Sequence, residues 1–175
     1  MKGSDGFVQG YNCQVVVDAD HQVIVAEAVT NQPPDPEHWQ PMLERTIQNC
    51  GKIPEAGLAD TGYFSDENIV HGRNQGIDLF IATGRQKHGE APPTVRGRPP
   101  RQMTQKPEMR RKLATKAGRA MYSRRKTIVE PVFGQIKEAR GFRRFLLRGI
   151  AKVRGEWSLI SLTHNLLKLH RFQVA

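Results

Sequence analysis

Hydrophobic residues first gather in two β-branched runs. Tyr11 to Asp18 holds Cys13, Val15, Val16 and Val17, and His21 to Thr30 holds Val23, Ile24, Val25, Ala26, Ala28 and Val29, with Asp18-Ala19-Asp20 between them. Dense runs of this kind around a short acidic turn predict an antiparallel hairpin with at least one buried face. The pattern then changes period. Asn31 to Pro36 interrupts the strand with prolines and ends in Asp35-Pro36, an N-cap followed by proline at the first helical position. Trp39, Met42, Leu43, Ile47 and Cys50 follow at helical steps, predicting a helix with a core-facing stripe that Gly51 closes.

Glu55 to Asp60 reads as a short strand running into the tight turn Asp60-Thr61-Gly62-Tyr63-Phe64-Ser65. Ser65 is placed to cap a helix with Asp66 and Glu67 in its first turn, and Ile77 to Thr83 reads as another strand. This order of strands and helices predicts an α/β fold class. Gly84 to Pro107 is rich in Gly, Pro, Lys and Arg and has no period, which suggests a mobile basic insertion. Helical spacing returns from Glu108 to Arg171, with helices near 108–117, 121–140 and 156–171. The last carries Trp157, Ile160, Leu162, Leu166, Leu167 and Leu169. One domain is expected over 1–175, in three stretches: strand-rich and acidic (1–83), the insertion (84–107), and helical and basic (108–175).

No apolar run reaches the roughly 18 residues that cross a bilayer, and MKGSDGFVQG has no signal-peptide core, so a soluble intracellular protein without membrane attachment is expected. Cys13 and Cys50 stand without metal-ligand spacing and read as packing residues. Charge changes the picture more. The net charge is +10, but residues 1–84 hold 4 Lys/Arg against 12 Asp/Glu, whereas 85–175 hold 23 against 5. A half at −8 beside a half at +18 points to a polyanion partner, nucleic acid first, because clustered Lys and Arg gain affinity by displacing counterions from phosphates.

Asp60 stands at the C-terminal end of a predicted strand, where open α/β sheets present functional side chains, although an Asp that merely caps the next turn looks the same. On a helix, Tyr122, Lys126, Glu130, Gly134 and Lys137 form one polar face, while Ile128, Val129, Val132, Phe133 and Ile136 form an apolar one. A purely structural account of that face is an amphipathic helix with Lys126 and Glu130 paired. Pro131 implies either a kink there or the start of a new helix. His164-Asn165, among Leu162, Leu166 and Leu167, reads as a packing pair. Phe142 and Phe145 either anchor their segment or stack on bases.

Three stretches carry a resemblance: Ala59-Asp60-Thr61-Gly62-Tyr63-Phe64, Tyr122 to Lys137, and Gly141-Phe142-Arg143-Arg144-Phe145-Leu146-Leu147-Arg148-Gly149. Together they resemble the C-terminal half of bacterial insertion-sequence transposases of the DDE class, marked by Tyr-x2-Arg-x3-Glu-x6-Lys. Here Tyr122, Arg125, Glu130 and Lys137 match, with four residues instead of three between Arg125 and Glu130, so that Lys126 is a second candidate for the arginine's role. The resemblance implies a ribonuclease H-like fold, two Asp and one Glu holding two divalent ions (Mg²⁺ or Mn²⁺), and DNA cleavage and strand transfer. Asp60 would be the second carboxylate and Glu130 the third, both as metal ligands. Tyr122, Arg125, Lys126, Lys137, Arg143, Arg144 and Arg148 would face DNA.

The family's first Asp lies on a central first strand, upstream of the hairpin, and no strand here carries it: Asp5 sits in a polar stretch and Asp18 reads as a turn former. The expectation is therefore a truncated catalytic domain, weakly active or inactive, with two open sheet edges where that strand would lie. Transposon-end and target DNA are the expected partners, with room for a homodimer, in a cytoplasmic, nucleoid-associated setting. A non-catalytic basic DNA-binding module is the alternative, and a nuclease of similar fold ranks third.

Overall fold

The computed structural model describes residues 10–32, 36–84 and 102–174, together with 2, 3, 6, 7, 95, 97, 98 and 100. Asp5, the Asp35 cap and most of the predicted insertion lie outside the described residues. In chain order the elements are β1 (Lys2–Gly3), β2 (Gly6–Phe7), β3 (Asn12–Val17), β4 (Ile24–Thr30), α1 (Trp39–Cys50), β5 (Ala56–Ala59), α2 (Asp66–Asn74), β6 (Asp78–Ile81), α3 (Gln105–Ala114), α4 (Lys116–Gly134) and α5 (Ile150–Val174). Short 3-10 turns precede α1 and α2, and a π turn, Gln135–Ala139, extends α4. The result is the mixed α/β arrangement that the hydrophobic pattern predicts.

The hairpin forms with Val17 opposite Ile24 and Asn12 opposite Thr30, and with an irregularity between Val16 and Val17. Asp18 is the turn former: its Oδ2 accepts from the backbone N–H of Asp20 (3.1 Å) and His21 (2.8 Å). Gly51 closes α1 in a left-handed conformation (φ 66°), and its N–H donates to the Ile47 carbonyl. Ser65 caps α2 through its hydroxyl. Across α2, β5 pairs in parallel with β6.

Among the described residues the strands make three separate two-stranded sheets, and no ladder joins the hairpin to the β5–β6 pair. Unpaired backbone at a strand edge needs partners, and along β4 side chains supply them. Asn49 donates to the Val25 carbonyl at 2.7 Å, Arg45 to that of Glu27, and Arg154 Nε to that of Val29 at 3.3 Å. Asn165 imitates a neighbouring strand, accepting from Ile24 N–H and donating to its carbonyl, both at 2.8 Å.

Two apolar clusters result. Ile24 and Val29 of the hairpin pack with Val132, Ile136, Val153, Trp157 and Ile160, while Leu43, Ala59, Ile69, Ile77, Leu79, Ile81 and Met109 form the second. α4 bridges the two groups of strands, touching β3, β5 and β6.

The helices differ from the sequence reading at their ends. α3 begins at Gln105, so its first residues fall inside the predicted insertion; Pro107 is tolerated there because the first-turn N–H groups have no helical partner anyway. Thr115 separates α3 from α4: its hydroxyl donates to the Lys112 carbonyl (2.8 Å) and accepts from Gly118 N–H (2.9 Å). A Cβ on Gly118 would stand 2.0 Å from that carbonyl, so the tight junction requires glycine. α5 starts six residues earlier than its predicted limit because Ile150 and Val153 join the hairpin core. Leu162, Leu166, Leu167 and Leu169 are exposed, whereas Trp157, Ile160 and His164, the last expected as a packing residue, face inward.

Pro131 neither breaks α4 nor starts a new helix. A proline at 131 cannot donate to the carbonyl of residue 127, four positions earlier. That carbonyl accepts instead from Gln22 Nε2 at 2.8 Å. Gln22 lies in the hairpin loop at φ 58°, a left-handed geometry unusual for a side-chain-bearing residue. Its Oε1 accepts from Lys168 Nζ (2.7 Å) and Gln135 Nε2 (3.4 Å), and its carbonyl faces His164 Nε2 at 3.0 Å. One residue thus ties the loop to α4, the π turn and α5.

Replacing Gln22 by Ala is expected to cost about 1–2 kcal/mol, the usual range for a lost set of partly exposed hydrogen bonds. In a Pro131→Ala background the restored N–H reoccupies the Thr127 carbonyl, so the penalty of Gln22→Ala should shrink; a double-mutant cycle by urea denaturation reads the coupling, and strict additivity would refute the account.

Burial pulls the His164 imidazole below its ordinary value of 6.5, and Lys168, Arg140 and Arg171 act in the same direction against the Gln22 hydrogen bond. Below 6.5 the unfolded chain binds the proton more readily than the folded one, so this contribution to stability is full above 6.5 and declines as pH falls below it. Thermal unfolding should show wild type losing more stability than His164→Gln between neutral pH and about pH 5, the range where an ordinary histidine charges; parallel curves would contradict this.

Candidate active site

Asp60 directly follows β5, as the sequence reading expects. Its carboxylate is exposed, and Oδ1 accepts from Gly62 N–H at 3.0 Å, so it also caps the turn Thr61–Tyr63. Tyr63 steadies the turn with its ring edge against Trp39 on α1, centroids 6.4 Å apart. Both the capping and the strand-end features foreseen for this residue are present, and they are compatible.

Glu130 sits on α4 with its carboxylate exposed. The structural account of the sequence pairs it with Lys126, but the ion pair forms with Arg125, Nη2 to Oε1 at 3.4 Å. The Arg125 side chain is largely buried, and its guanidinium lies 5.8 Å from the centre of the Tyr122 ring. Arg125 Nε is buried without a hydrogen-bond partner.

Tyr122 connects the two acids. Burial chiefly raises the pKa of its phenol; the Arg125 charge and hydrogen bond oppose this, and Asp60 and Glu130 each push it up further. Two carboxylates that lie 70 positions apart in sequence therefore act on one half-buried hydroxyl. α4 packs against β5 and β6, so the helix carrying Glu130 lies against the strand that leads into Asp60.

The remaining basic candidates scatter. Lys126 is exposed beside this group. Lys137 lies in the π turn that extends α4. Its Nζ stands 5.4 Å from the Phe133 ring centre, and its charge reaches the Cys13 thiol, which burial raises to about 11. Arg143 pairs with Glu138 on an exposed surface where such a pair contributes little. Arg144 is exposed, and Arg148 Nη1 donates to the carbonyls of Phe145 (3.1 Å) and Leu147 (3.2 Å). Phe145 is an anchor, edge-on to Tyr11 and Trp157 at 5.8 and 6.3 Å, whereas Phe142 stays exposed beneath the Arg140 guanidinium.

Sequence reasoning missed the residues that hold the arginine-rich segment 141–149. Glu156 accepts from Leu146 N–H and Leu147 N–H at 2.9 and 3.0 Å, and the Tyr11 hydroxyl accepts from Gly149 N–H at 3.0 Å. Arg140 reaches the Ile160 carbonyl and Thr163 on α5. No local pattern flags these long-range contacts.

Carboxylate oxygens suit a hard divalent cation, and Asp60 and Glu130 qualify as two such donors. No group of three or more His, Cys, Asp or Glu placed to hold a metal ion occurs among the described residues. No helix among them is long and apolar enough to cross a membrane.

The arrangement can be set beside known proteins. The family model described as Transposase DDE domain matches residues 85–170, a stretch that includes Tyr122, Arg125, Glu130 and Lys137. Comparison with curated proteins and with solved structures finds no match. Residues 85–170 of this chain are therefore similar to the transposase DDE domain family.

Proposed function

We propose that the chain supplies part of a metal-dependent DNA cleavage and strand-transfer site on a ribonuclease H-like core, with Asp60 and Glu130 as metal-binding carboxylates. The observation that carries this reading is the packing of α4, which bears Glu130, against β5, which leads into Asp60. A divalent cation held by such carboxylates, Mg²⁺ or Mn²⁺, stabilises charge on the attacking and leaving oxygens of an in-line phosphoryl displacement. Asp60 presents its carboxylate from a turn already fixed by its own capping bond. Glu130, exposed and held only by an Arg125 contact at 3.4 Å, can exchange that partner for a cation. Arg125, its Nη2 released from Glu130, then serves a DNA phosphate near the scissile bond, assisted by Lys126 and Tyr122. Lys137, Arg143, Arg144 and Arg148 contact the backbone further away.

With two candidate acids among the described residues where the family uses three, strand cleavage by the chain alone should be weak or absent. DNA binding is carried by the half with net charge +18, and transposon ends and target DNA in a nucleoid setting are the natural ligands. The same charge supports a second reading, a basic DNA-binding module without catalysis.

Mn²⁺ binding followed by water-proton relaxation separates the two readings. The proposal expects wild type to bind with Asp60→Asn or Glu130→Gln weakening it at least tenfold, while salt-sensitive DNA binding persists. Metal binding indifferent to both substitutions would leave only the non-catalytic module.

A further inference from the structure

Residues 140–149, between the π turn and α5, form neither helix nor strand. They hold apolar side chains of two opposite kinds. Phe145 packs inward, edge-on to Tyr11 and Trp157, whereas the two residues after it stay outside: Leu146 is 79% exposed and Leu147 45%. Single exposed leucines are common on protein surfaces, but this pair does not sit on a loose loop. The Glu156 carboxylate accepts from the backbone N–H of both leucines, one on each oxygen, and such charge-assisted bonds are stronger than neutral ones. Arg148 Nη1 donates to the carbonyls of Phe145 and Leu147, and the Tyr11 hydroxyl accepts from Gly149 N–H. The backbone under the leucines is thus fixed, and the pair is held out instead of following Phe145 into the core.

The charge around this tip identifies what it meets. From Arg140 to Arg154 there are six cations, Arg140, Arg143, Arg144, Arg148, Lys152 and Arg154, and no acid. Glu138 pairs with Arg143, and Glu156 is engaged by the loop backbone, so Arg144 stays exposed with no acidic partner among the described residues. An apolar tip inside a cationic rim fits a polyanion that has an apolar interior behind its phosphates, which is the stacked duplex of DNA. An anionic bilayer combines the same two chemistries, but this segment forms no amphipathic helix, and two leucines bury far less than the long apolar face that holds a protein on such a surface.

We propose that Leu146, supported by Leu147, is a wedge that enters between adjacent base pairs of duplex DNA and kinks it, while Arg144 and Arg148 hold phosphates on either side. The inference rests on the reading of the basic half as DNA-binding, and it is independent of the carboxylate site. A wedge already rigid before binding loses little conformational freedom on insertion. It favours steps that unstack readily, pyrimidine–purine steps such as TA.

Fluorescence of 2-aminopurine, which rises when the base leaves its stack, tests this with the full chain in metal-free buffer and short duplexes carrying the probe among alternating TA steps. Wild type should bind with a steep salt dependence and raise the fluorescence about twofold or more, as an opened step requires. Leu146→Ala should remove most of that rise and keep the salt slope, whereas Leu146→Phe, another apolar wedge, should retain the rise. Arg144→Ala should do the reverse, lowering the salt slope by about one phosphate contact with the rise still present. Should Leu146→Ala fail to fold, Leu146→Gln, which keeps the length of the side chain without its apolar end, gives the same readout. Salt-dependent binding without a rise, or a rise that survives Leu146→Ala, would overturn the wedge and leave DNA binding intact. A chain that binds no duplex would overturn both readings. Capture by phosphatidylserine vesicles that is tighter than duplex binding and lost in Leu146→Ala would overturn the wedge in favour of a lipid surface.

Discussion

The continuity of α4 through Pro131 is the constraint on which the site depends. A break at that proline would let Glu130 and the residues after it leave the line set by Tyr122 and Arg125. The helix survives because the carbonyl that proline leaves unpaired finds Gln22 from a loop more than 100 residues away in sequence. That loop is in turn fixed by Asp18 at its start and by His164, Asn165 and Lys168 of α5 at its end. Chemistry on α4 and architecture in the hairpin are therefore one problem. The proline is tolerated only in the presence of a particular tertiary contact.

This arrangement also explains how an acidic half and a basic half form one folded unit. The strands, with α1 and α2, come from the acidic stretch, and α3 to α5, which complete their cover, come from the basic one. Packing α4 on β5 and β6 sets the helix that carries Glu130 against the strand that leads into Asp60, while Arg45, Arg154 and two asparagines finish the backbone of β4. Long-range side-chain bonds do here what a further strand does in a larger sheet.

Elements whose signal is local were legible in the sequence. The hairpin, the Gly51 stop, the Ser65 cap and the strand ending at Asp60 each follow from residues adjacent to them. Where the structure departs, a distant partner decides at two places, Gln22 for Pro131 and the hairpin with Val153 for the start of α5, while the start of α4 is set locally by Thr115 bonding to Lys112 and Gly118. Helical periodicity could show that α5 is apolar on more than one side, but not which side would find the core. The same holds at the site, where residue types and spacing singled out Asp60, Tyr122, Arg125 and Glu130, yet the choice of Arg125 over Lys126 as partner of Glu130 depends on how Arg125 lies against the Tyr122 ring.

The claim at the centre of this account is that Asp60 and Glu130 share the surroundings of Tyr122, and the tyrosine reports on it directly. NMR titration of ring-labelled Tyr122 should place its phenol above the ordinary value of 10.0, and Asp60→Asn and Glu130→Gln should each lower it by removing a nearby negative charge. A phenol that responds to Glu130→Gln but ignores Asp60→Asn would mean that the two acids do not meet, and the carboxylate site would have to be abandoned.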